Sequence, residues 1–208
     1  TRVVSALTDP DPRVSGRGHT MLADAGIQVD VGLFADKARK VNEGFLSKVE
    51  HGRPFVTLKL ASTLDARSAT ASGESQWITG EAARQEGHRL RATHDAIIIG
   101  AKTVLADNPT LTCRLAGRGH QSPVRVILDR AGDVPLSAQL VQTANTVPTW
   151  LVTSEQNFSE LSEQFGKTSI KVISAGCANG HLDLHDVMRK LSDVGLTRVL
   201  VESGGSLA

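Results

Sequence analysis

The sequence predicts an α/β fold built around a largely parallel sheet, and two observations support this prediction. Apolar runs of strand length alternate with helical patterns along the 208 residues, which is the order that strands joined by crossover helices produce. The apolar run 55–61, interpreted as a buried strand, opens into a long loop of small polar residues over 64–79. Enzymes of the α/β class place their sites on such loops.

The first fifty residues predict two strands and two helices. Pro10 and Pro12 indicate a turn, since each proline pushes its predecessor out of the helical region. Gly26 suits the left-handed position that ends a helix. The expected elements are a strand over 3–7, a helix up to 25, a strand over 27–31 and a helix over 36–50. In the second helix, the apolar residues expected near one face are Ala38, Val41, Phe45, Leu46 and Val49.

The chain after Pro54 predicts most of the sheet. Residues 51–54 break the preceding helix, so we place a domain boundary between a small unit, 1–52, and a larger α/β unit, 53–208. Thr79 is expected to cap a helix over 80–91. The other expected elements are strands over 55–61, 96–100, 124–128, 149–153, 170–174 and 198–202, and a helix over 184–194.

Composition narrows the class of partner. The chain carries 23 basic and 22 acidic residues, a net charge of +1, and has no basic stripe, so no nucleic acid partner is expected. No apolar run approaches membrane-spanning length, so no membrane partner is expected either. Cys113 and Cys177 are too few for a disulfide framework, which predicts a reducing, cytoplasmic setting.

Metal signals are weak. A zinc deaminase needs H-x-E followed by P-C-x-x-C, and neither occurs in this sequence. His181 and His185 are four residues apart, but His181 precedes the predicted helix and no third ligand is apparent. We therefore interpret both as surface residues and predict no metal site in this chain.

Two features of the loops indicate a nucleotide-like ligand, and each has a simpler alternative. Trp77 ends the long polar loop, where an indole beside hydroxyl and amide groups suits a planar ligand, although a loop tryptophan is more often a packing plug. Gly204 and Gly205 follow the last strand, where backbone N–H groups suit a pyrophosphate, although paired glycines more often mark a tight turn. No G-x-G-x-x-G motif follows a strand.

Charged residues give the next candidates. Arg91 and Arg114, together with Ser75, suit a sugar phosphate because guanidinium groups bind phosphate bidentately; solvated surface arginines are the alternative. Arg130 follows a strand and suits the 2′-phosphate of NADP, or it faces water. Lys59 lies within an apolar strand, so it is a functional candidate if that strand borders a cleft and an exposed lysine if the strand is at an edge.

These segments resemble the bifunctional deaminase–reductase family of riboflavin biosynthesis. The segment 2–27 looks like the end of the family's deaminase domain, and 42–46 is similar to its connecting helix. The runs Leu-Lys-Leu-Ala-Ser-Thr-Leu-Asp-Ala-Arg at 58–67 and Ser-Gly-Glu-Ser-Gln-Trp-Ile-Thr at 72–79 match the opening of its reductase domain. The run 103–114 and the Val-Glu-Ser-Gly-Gly turn at 201–205 follow in the family's order, so the resemblance covers essentially the whole chain.

The resemblance implies a dihydrofolate-reductase-like reductase domain with a mainly parallel sheet over 53–208, preceded by the C-terminal piece of a cytidine-deaminase-like α/β domain over 1–52. It implies that NADPH delivers a hydride to C1′ of the ribosyl group of 5-amino-6-(5-phosphoribosylamino)uracil, giving the ribityl form. It further implies a parent enzyme that deaminates the preceding diaminopyrimidine and is a homo-oligomer. A different reductase of pteridines or folates, or a non-catalytic NADPH-binding module, is the alternative.

The resemblance also assigns residues. Those implied at the phosphoribosyl substrate are Ser75, Arg91, Leu111, Arg114 and Glu202. Those implied at NADPH are Ala61, Trp77, Thr103, Asp107, Gly204 and Gly205, to which we add Arg130 as a candidate for the 2′-phosphate. Lys59 is implied close to the reacting centre. The candidates for handling the proton are Glu202, Lys59 or a bound water, among which the sequence does not decide.

The chain departs from the family pattern at two positions and at both ends. Ala66 stands where the family usually has glycine, so that turn is expected to be stiffer. Arg130 stands where a small hydroxyl residue is common. The family's zinc ligands would precede Thr1 and its last strands would follow Ala208, so we expect a piece of a longer protein, with zinc bound only in the missing N-terminal part.

Overall fold

The computed structural model describes residues 1–70, 77–202, 204 and 207. Within them the chain divides into two compact units. The first unit contains Thr1–Phe55 together with Leu191–Thr197, and the second contains the rest of the described chain. The sequence-based boundary at 52/53 refers to domains of a longer protein and stays a prediction.

The described elements follow the alternating order that the sequence predicts. The first helices and strands are β1 (Arg2–Ser5), α1 (Arg17–Asp24), β2 (Gln28–Val31), α2 (Ala35–Val41), α3 (Glu43–His51), β3 (Phe55–Leu58), α4 (Glu81–Ala92), β4 (Ala96–Gly100) and α5 (Ala101–Asp107). They continue with β5 (Val124–Leu128), α6 (Gln139–Gln142), β6 (Thr149–Ser154), α7 (Phe158–Phe165), β7 (Ile170–Ala175), β8 (Cys177–Ala178), β9 (His181–Leu182), α8 (Leu184–Asp193) and β10 (Arg198–Val201).

A six-stranded sheet organises the second unit. Its order is β3-β10-β4-β5-β6-β7, and the pairings from β10 to β7 are all parallel. The last strand of the chain, β10, therefore lies inside the sheet, between β3 and β4. In the next strand, Ile97 of β4 is paired with Leu200 of β10 on one side and with Arg125 of β5 on the other. Because parallel strands end at the same edge, the segments after β3, β10, β4 and β5 are brought to one side of the sheet.

The core of this unit is a cluster of aliphatic side chains. The central strands are apolar on both faces, as expected for a parallel sheet covered by helices. Predicted strands 96–100 and 124–128 are confirmed with the same bounds, and β4 is buried except for Gly100. The fully buried members of the cluster include Ile97, Ile99, Ile127, Leu140, Leu151 and Leu200.

The first unit buries little of its own surface. Strands β1 and β2 form a two-stranded parallel sheet, and neither α1 nor α2 contains a buried residue. Gly26 adopts the predicted left-handed conformation after α1, with φ of 75°. Met21 and Phe34 remain 73% and 65% exposed.

The predicted helix over 36–50 is wrong in one respect, because it is two helices that meet at Asn42. The Asn42 side chain donates a hydrogen bond from Nδ2 to the Ala38 carbonyl, a local bond that competes with helix continuation. The predicted apolar face is interrupted accordingly, since Val41 is 77% exposed while Leu46 of α3 is buried.

Two further expectations near the polar loop need correction. The strand that begins at Phe55 is not a buried strand but the edge of the sheet, with Leu58 and Leu60 about half exposed. Thr79 is not the N-cap of α4, since the extended residue before the helix is Gly80 and no side chain caps it. The Thr79 carbonyl instead accepts a hydrogen bond from Arg84 Nη1 at 2.7 Å.

A buried arginine connects β5 to the segments around it. The Arg125 side chain is fully buried, and none of its hydrogen-bond partners in the described residues is a carboxylate. Burial lowers its pKa to about 10, which leaves the guanidinium charged at neutral pH. Its charge is stabilised by oxygen acceptors instead, namely the hydroxyls of Thr143 and Thr149 and the carbonyls of Thr110, Leu140 and Val147.

We predict that Arg125→Leu lowers the free energy of unfolding by at least about 3 kcal/mol, because several buried acceptors lose a charged donor at once. Urea denaturation at neutral pH measures the effect. Arg118→Leu is the matched control, since Arg118 is exposed and its replacement is expected to change stability by less than about 0.5 kcal/mol. A loss below about 1 kcal/mol for Arg125→Leu would contradict the structural role.

Candidate active site

A cleft of about 350 Å³ opens at the carboxyl ends of β3 and β10, and we call it the Glu202 cleft. Its volume lies within the range of small-molecule sites. All of its lining residues belong to the second compact unit. The site residues predicted from the sequence that line it are Lys59, Ala61, Trp77, Arg91, Arg114 and Glu202.

A buried carboxylate lies at the base of this cleft. Glu202 follows β10, and its side chain is only 9% exposed. Its Oε1 and Oε2 accept hydrogen bonds from Arg91 Nε at 2.8 Å and Nη2 at 2.9 Å, a bidentate pair between residues 111 positions apart. Lys59 Nζ lies 3.5 Å from Oε2. Helix α4 and the segment after β3 are thus tied to the end of β10.

The pKa of Glu202 reflects two opposing effects. Burial raises its pKa, but the hydrogen bonds and charges of Arg91 and Lys59 outweigh burial and lower it below the usual 4.5. Glu202 is therefore a carboxylate at neutral pH and accepts hydrogen bonds.

Lys59 combines features of both predicted alternatives, an exposed lysine at a sheet edge and a lysine that borders a cleft. Lys59 follows an edge strand, as the simpler interpretation required, and its side chain is 36% exposed. It nevertheless lines the cleft and faces Glu202. The structure therefore places an ammonium group beside a buried carboxylate in the lining of the cleft.

Trp77 is exposed rather than buried as a packing plug. Its side chain is 72% exposed and lines the cleft. The guanidinium of Arg84 lies over the indole, 4.5 Å from the ring centroid. One face of the indole is therefore covered by Arg84.

The two arginines predicted at a phosphate line the same cleft but differ in their partners. Arg91 is 14% exposed and, besides Glu202, donates from Nη1 to the Thr112 carbonyl at 3.1 Å. Arg114 is exposed, and within the described residues its guanidinium has no hydrogen bond or ion pair. Arg114 is consequently the cation with the most capacity left for a ligand.

Sequence reasoning missed several cleft residues on α4, among them two with basic side chains. Arg84 and His88 line the cleft together with Arg91, at positions i, i+4 and i+7 of one helix. Burial, followed by the charges of Arg91 and Arg114, lowers the pKa of His88 below 6.5, against smaller raising effects of Thr112 and Glu202. The sequence signal that could have revealed them is the helical spacing of Arg84, His88 and Arg91, which places three basic side chains on one face of α4.

Other predicted residues lie elsewhere. Leu111 has a φ of 53°, and its side chain is buried in the core, so only its backbone is available to a ligand. Thr103 and Asp107 belong to α5, and Arg130 follows β5; none of the three lines the Glu202 cleft. Gly204 is exposed, two residues after Glu202. Two predicted residues, Ser75 and Gly205, lie outside the described residues.

The backbone of Arg130 is held firmly at the end of β5. Its carbonyl accepts hydrogen bonds from the hydroxyls of Thr153 and Ser154 and from Asn157 Nδ2. The preceding Asp129 is buried and accepts three backbone N–H bonds, from residues 132–134. These contacts fix where the exposed Arg130 side chain starts, at the same sheet edge as the cleft.

The described residues contain neither a metal-binding cluster nor a membrane-spanning helix. No group of three or more His, Cys, Asp or Glu side chains is arranged to hold a metal ion in the described part of the chain. No described helix combines the length and the apolar character needed to span a bilayer.

Comparison with known proteins identifies the family of this chain. Residues 54–208 match the family model described as the RibD C-terminal domain. The chain belongs to the RibD C-terminal domain family. A riboflavin biosynthesis protein RibD of Bacillus amyloliquefaciens is 42% identical over 206 residues, covering 99% of this chain and 54% of the relative. The chain thus spans about half the length of the curated relatives it matches.

Solved structures of family members have the same fold. RibD of Acinetobacter baumannii superposes with a TM-score of 0.84 at 36% identity, covering 99% of this chain and 55% of that one. A Thermotoga maritima protein superposes with a TM-score of 0.79 at 35% identity, covering 99% and 54%. That protein is named a diaminohydroxyphosphoribosylaminopyrimidine deaminase/5-amino-6-(5-phosphoribosylamino)uracil reductase. The predicted family and the predicted dihydrofolate-reductase-like α/β fold are confirmed.

We predict that Glu202→Gln lowers the free energy of unfolding by about 3 kcal/mol at pH 7, because Arg91 loses its buried counter-charge. The lowered pKa means that the carboxylate stabilises the folded state above about pH 4.5 and that this contribution is lost as the pH falls further. The difference between wild type and variant in urea denaturation should therefore shrink below pH 4.5.

The control for this prediction is Glu86→Gln. Glu86 pairs with Arg89 in an exposed position, where ion pairs contribute little, so a change within about 0.5 kcal/mol is expected. A Glu202→Gln deficit that stays constant from pH 7 into the acid range would show that the charge of Glu202 is not what stabilises the fold.

Proposed function

We propose that this chain carries the reductase activity of a riboflavin-biosynthesis enzyme: the NADPH-dependent reduction of 5-amino-6-(5-phosphoribosylamino)uracil to its ribityl form. The observation that carries the proposal is the meeting of Arg91, Arg114 and Trp77, from three separate segments, in one cleft. Guanidinium groups suit a phosphate monoester and an indole suits a planar ring. Family membership and the printed activity of the Thermotoga maritima relative support the same reaction.

The residues present fit a nicotinamide cofactor. Ala61 and Trp77 line the cleft, Gly204 is exposed beside Glu202, and Thr103 lies in the first turn of α5 at the same sheet edge. When bound, the nicotinamide supplies the hydride. Asp107 and Gly205 belong to the same proposed set, and Arg130 is proposed to meet the 2′-phosphate that distinguishes NADPH from NADH.

The substrate is proposed to place its phosphate at Arg114 and its ribosyl carbon beside Lys59. Arg114 has donors available, while Arg91 is largely engaged by Glu202 and contributes its remaining N–H groups. Ser75 is proposed to add a hydroxyl to the phosphate site and Leu111 a backbone contact. Such an arrangement holds the sugar carbon in a fixed position for hydride transfer.

The proton needed by the reaction is proposed to come from Lys59. C1′ gains a hydride, the C1′–O4′ bond breaks, and the sugar oxygen gains a proton, so the ring opens to a ribityl chain. Glu202 is ionised at neutral pH and is already an acceptor of hydrogen bonds, so it orients the Lys59 ammonium rather than donating a proton itself. Lys59 Nζ, which lies 3.5 Å from Glu202 and lines the cleft, is therefore the proposed acid.

Predictions about the whole protein are part of this proposal. These are the deaminase activity with its zinc site in a preceding segment, a homo-oligomeric assembly, a cytoplasmic setting and a small-molecule substrate as the partner. The pteridine or folate reductase and the non-catalytic module are not favoured, because family relatives are named for riboflavin biosynthesis and the cleft is lined by several cations.

We predict that Arg114→Ala raises the Michaelis constant for the phosphorylated substrate about tenfold to a hundredfold. One charge-assisted contact to phosphate contributes roughly 1.5–3 kcal/mol, and each 1.4 kcal/mol is a factor of ten. Initial rates of NADPH oxidation measure the constant. Arg118→Ala is the control, because Arg118 is exposed four residues further on and does not line the cleft. An unchanged constant for Arg114→Ala would remove Arg114 from the phosphate site.

A further inference from the structure

His88 occupies the middle of the cationic face of α4. Arg84, His88 and Arg91 follow one another at spacings of four and three residues, and all three line the Glu202 cleft. Arg114 lines the same cleft from the segment that follows α5. The imidazole therefore shares one cavity with three guanidinium groups.

Contacts with the segment after α5 fix the position and tautomer of this ring. The Arg114 backbone N–H donates to His88 Nδ1 at 3.3 Å. The His88 carbonyl accepts a contact from Cys113 Sγ at 3.6 Å. Because Nδ1 is an acceptor, the neutral ring carries its proton on Nε2, which remains a donor. The Thr112 backbone also forms a hydrogen bond with this ring, which favours the protonated form.

The charged groups around the ring are predominantly positive. From α4 itself, Arg84, Glu86 and Arg91 line the cleft; Arg114, Lys59 and Glu202 line it from three other segments. Glu202 is already paired with Arg91 and Lys59, and Glu86 is paired with Arg89. Burial, followed by the charges of Arg91 and Arg114, holds the pKa of His88 below 6.5, so the ring is predominantly neutral at neutral pH.

We propose that His88 is a third anion-binding side chain of the Glu202 cleft, which takes up a proton from solvent when a dianionic phosphate group binds beside Arg91 and Arg114. The ring donates from Nε2 in either state. The added proton goes to Nδ1, which then gives up the 3.3 Å hydrogen bond from the Arg114 backbone N–H, and the imidazolium charge offsets part of the charge of the dianion. This role rests on the proposed function, which places the substrate's phosphate in this cleft. It makes His88 a residue that favours a dianion over a monoanion.

The proposal predicts a proton linkage. The pKa of His88 is below 6.5 in the free protein and rises when a dianion is bound. A rise of one unit means that affinity for the dianion falls about tenfold as the pH increases through the interval between the two values. Histidine at this position thus makes the binding of a group that stays dianionic tightest at mildly acidic pH.

Inorganic sulfate is the appropriate probe, because it stays a dianion throughout this pH range whereas phosphate itself titrates. The assigned C2–H resonance of His88 in the full chain is titrated by NMR between pH 5 and 8, with and without saturating sulfate. Sulfate affinity is measured by calorimetry over the same range for wild type and for His88→Gln, which keeps a donor but cannot be protonated. His185→Gln is the control, since His185 is exposed on α8.

We expect sulfate to raise the His88 pKa by at least one unit, and wild-type affinity to fall about tenfold from the acid to the alkaline end. In His88→Gln the affinity should change less than twofold, and His185→Gln should behave as wild type. Sulfate binding that leaves the His88 pKa unchanged overturns the proposal while the phosphate site stands. Absence of sulfate binding to wild type overturns both. The wild-type titration decides the question even if His88→Gln fails to fold.

Discussion

The pairing of Glu202 with Arg91 and Lys59 is the interaction on which the cleft depends. It joins the end of β10 to α4 and to the segment after β3, which are far apart in sequence. A buried carboxylate is costly unless it is paired and hydrogen-bonded, and here both oxygens are engaged. The position of β10 between β3 and β4 is what brings these groups together.

The same pairing decides which charges are available to a ligand. Most N–H donors of Arg91 are hydrogen-bonded to Glu202 and to the Thr112 carbonyl. Arg91 therefore holds the walls of the cleft in position, and only its remaining donors are available to bind a ligand. Arg114 and His88 are joined by a hydrogen bond from the Arg114 backbone N–H to His88 Nδ1, and both residues line the cleft. The cleft therefore contains a carboxylate, Glu202, whose charge is neutralised by Arg91 and Lys59, and further cationic side chains in its lining. This combination suits a ligand with an anionic tail and a polar ring.

The sequence predicts the parallel core well, because β4 is a continuous apolar run and β5 is apolar apart from Arg125, so both strands can be recognised from the local sequence alone. It does not reveal that β3 is an edge strand, since its apolar run looks like that of a central strand. The Glu202–Arg91 pair spans 111 residues and depends on sheet order, which local patterns do not encode. The break at Asn42 arises from one side-chain bond and was likewise hidden.

We propose above all that the cations of the Glu202 cleft recognise the phosphate group of the substrate that the enzyme reduces. The most direct measurement is a comparison of kcat/KM for NADPH oxidation with 5-amino-6-(5-phosphoribosylamino)uracil and with its dephosphorylated form. The account predicts a loss of at least tenfold when the phosphate is removed from the substrate, and a much smaller loss when Arg114 has been replaced by alanine. Equal rates for the two substrates in the wild-type protein would contradict it.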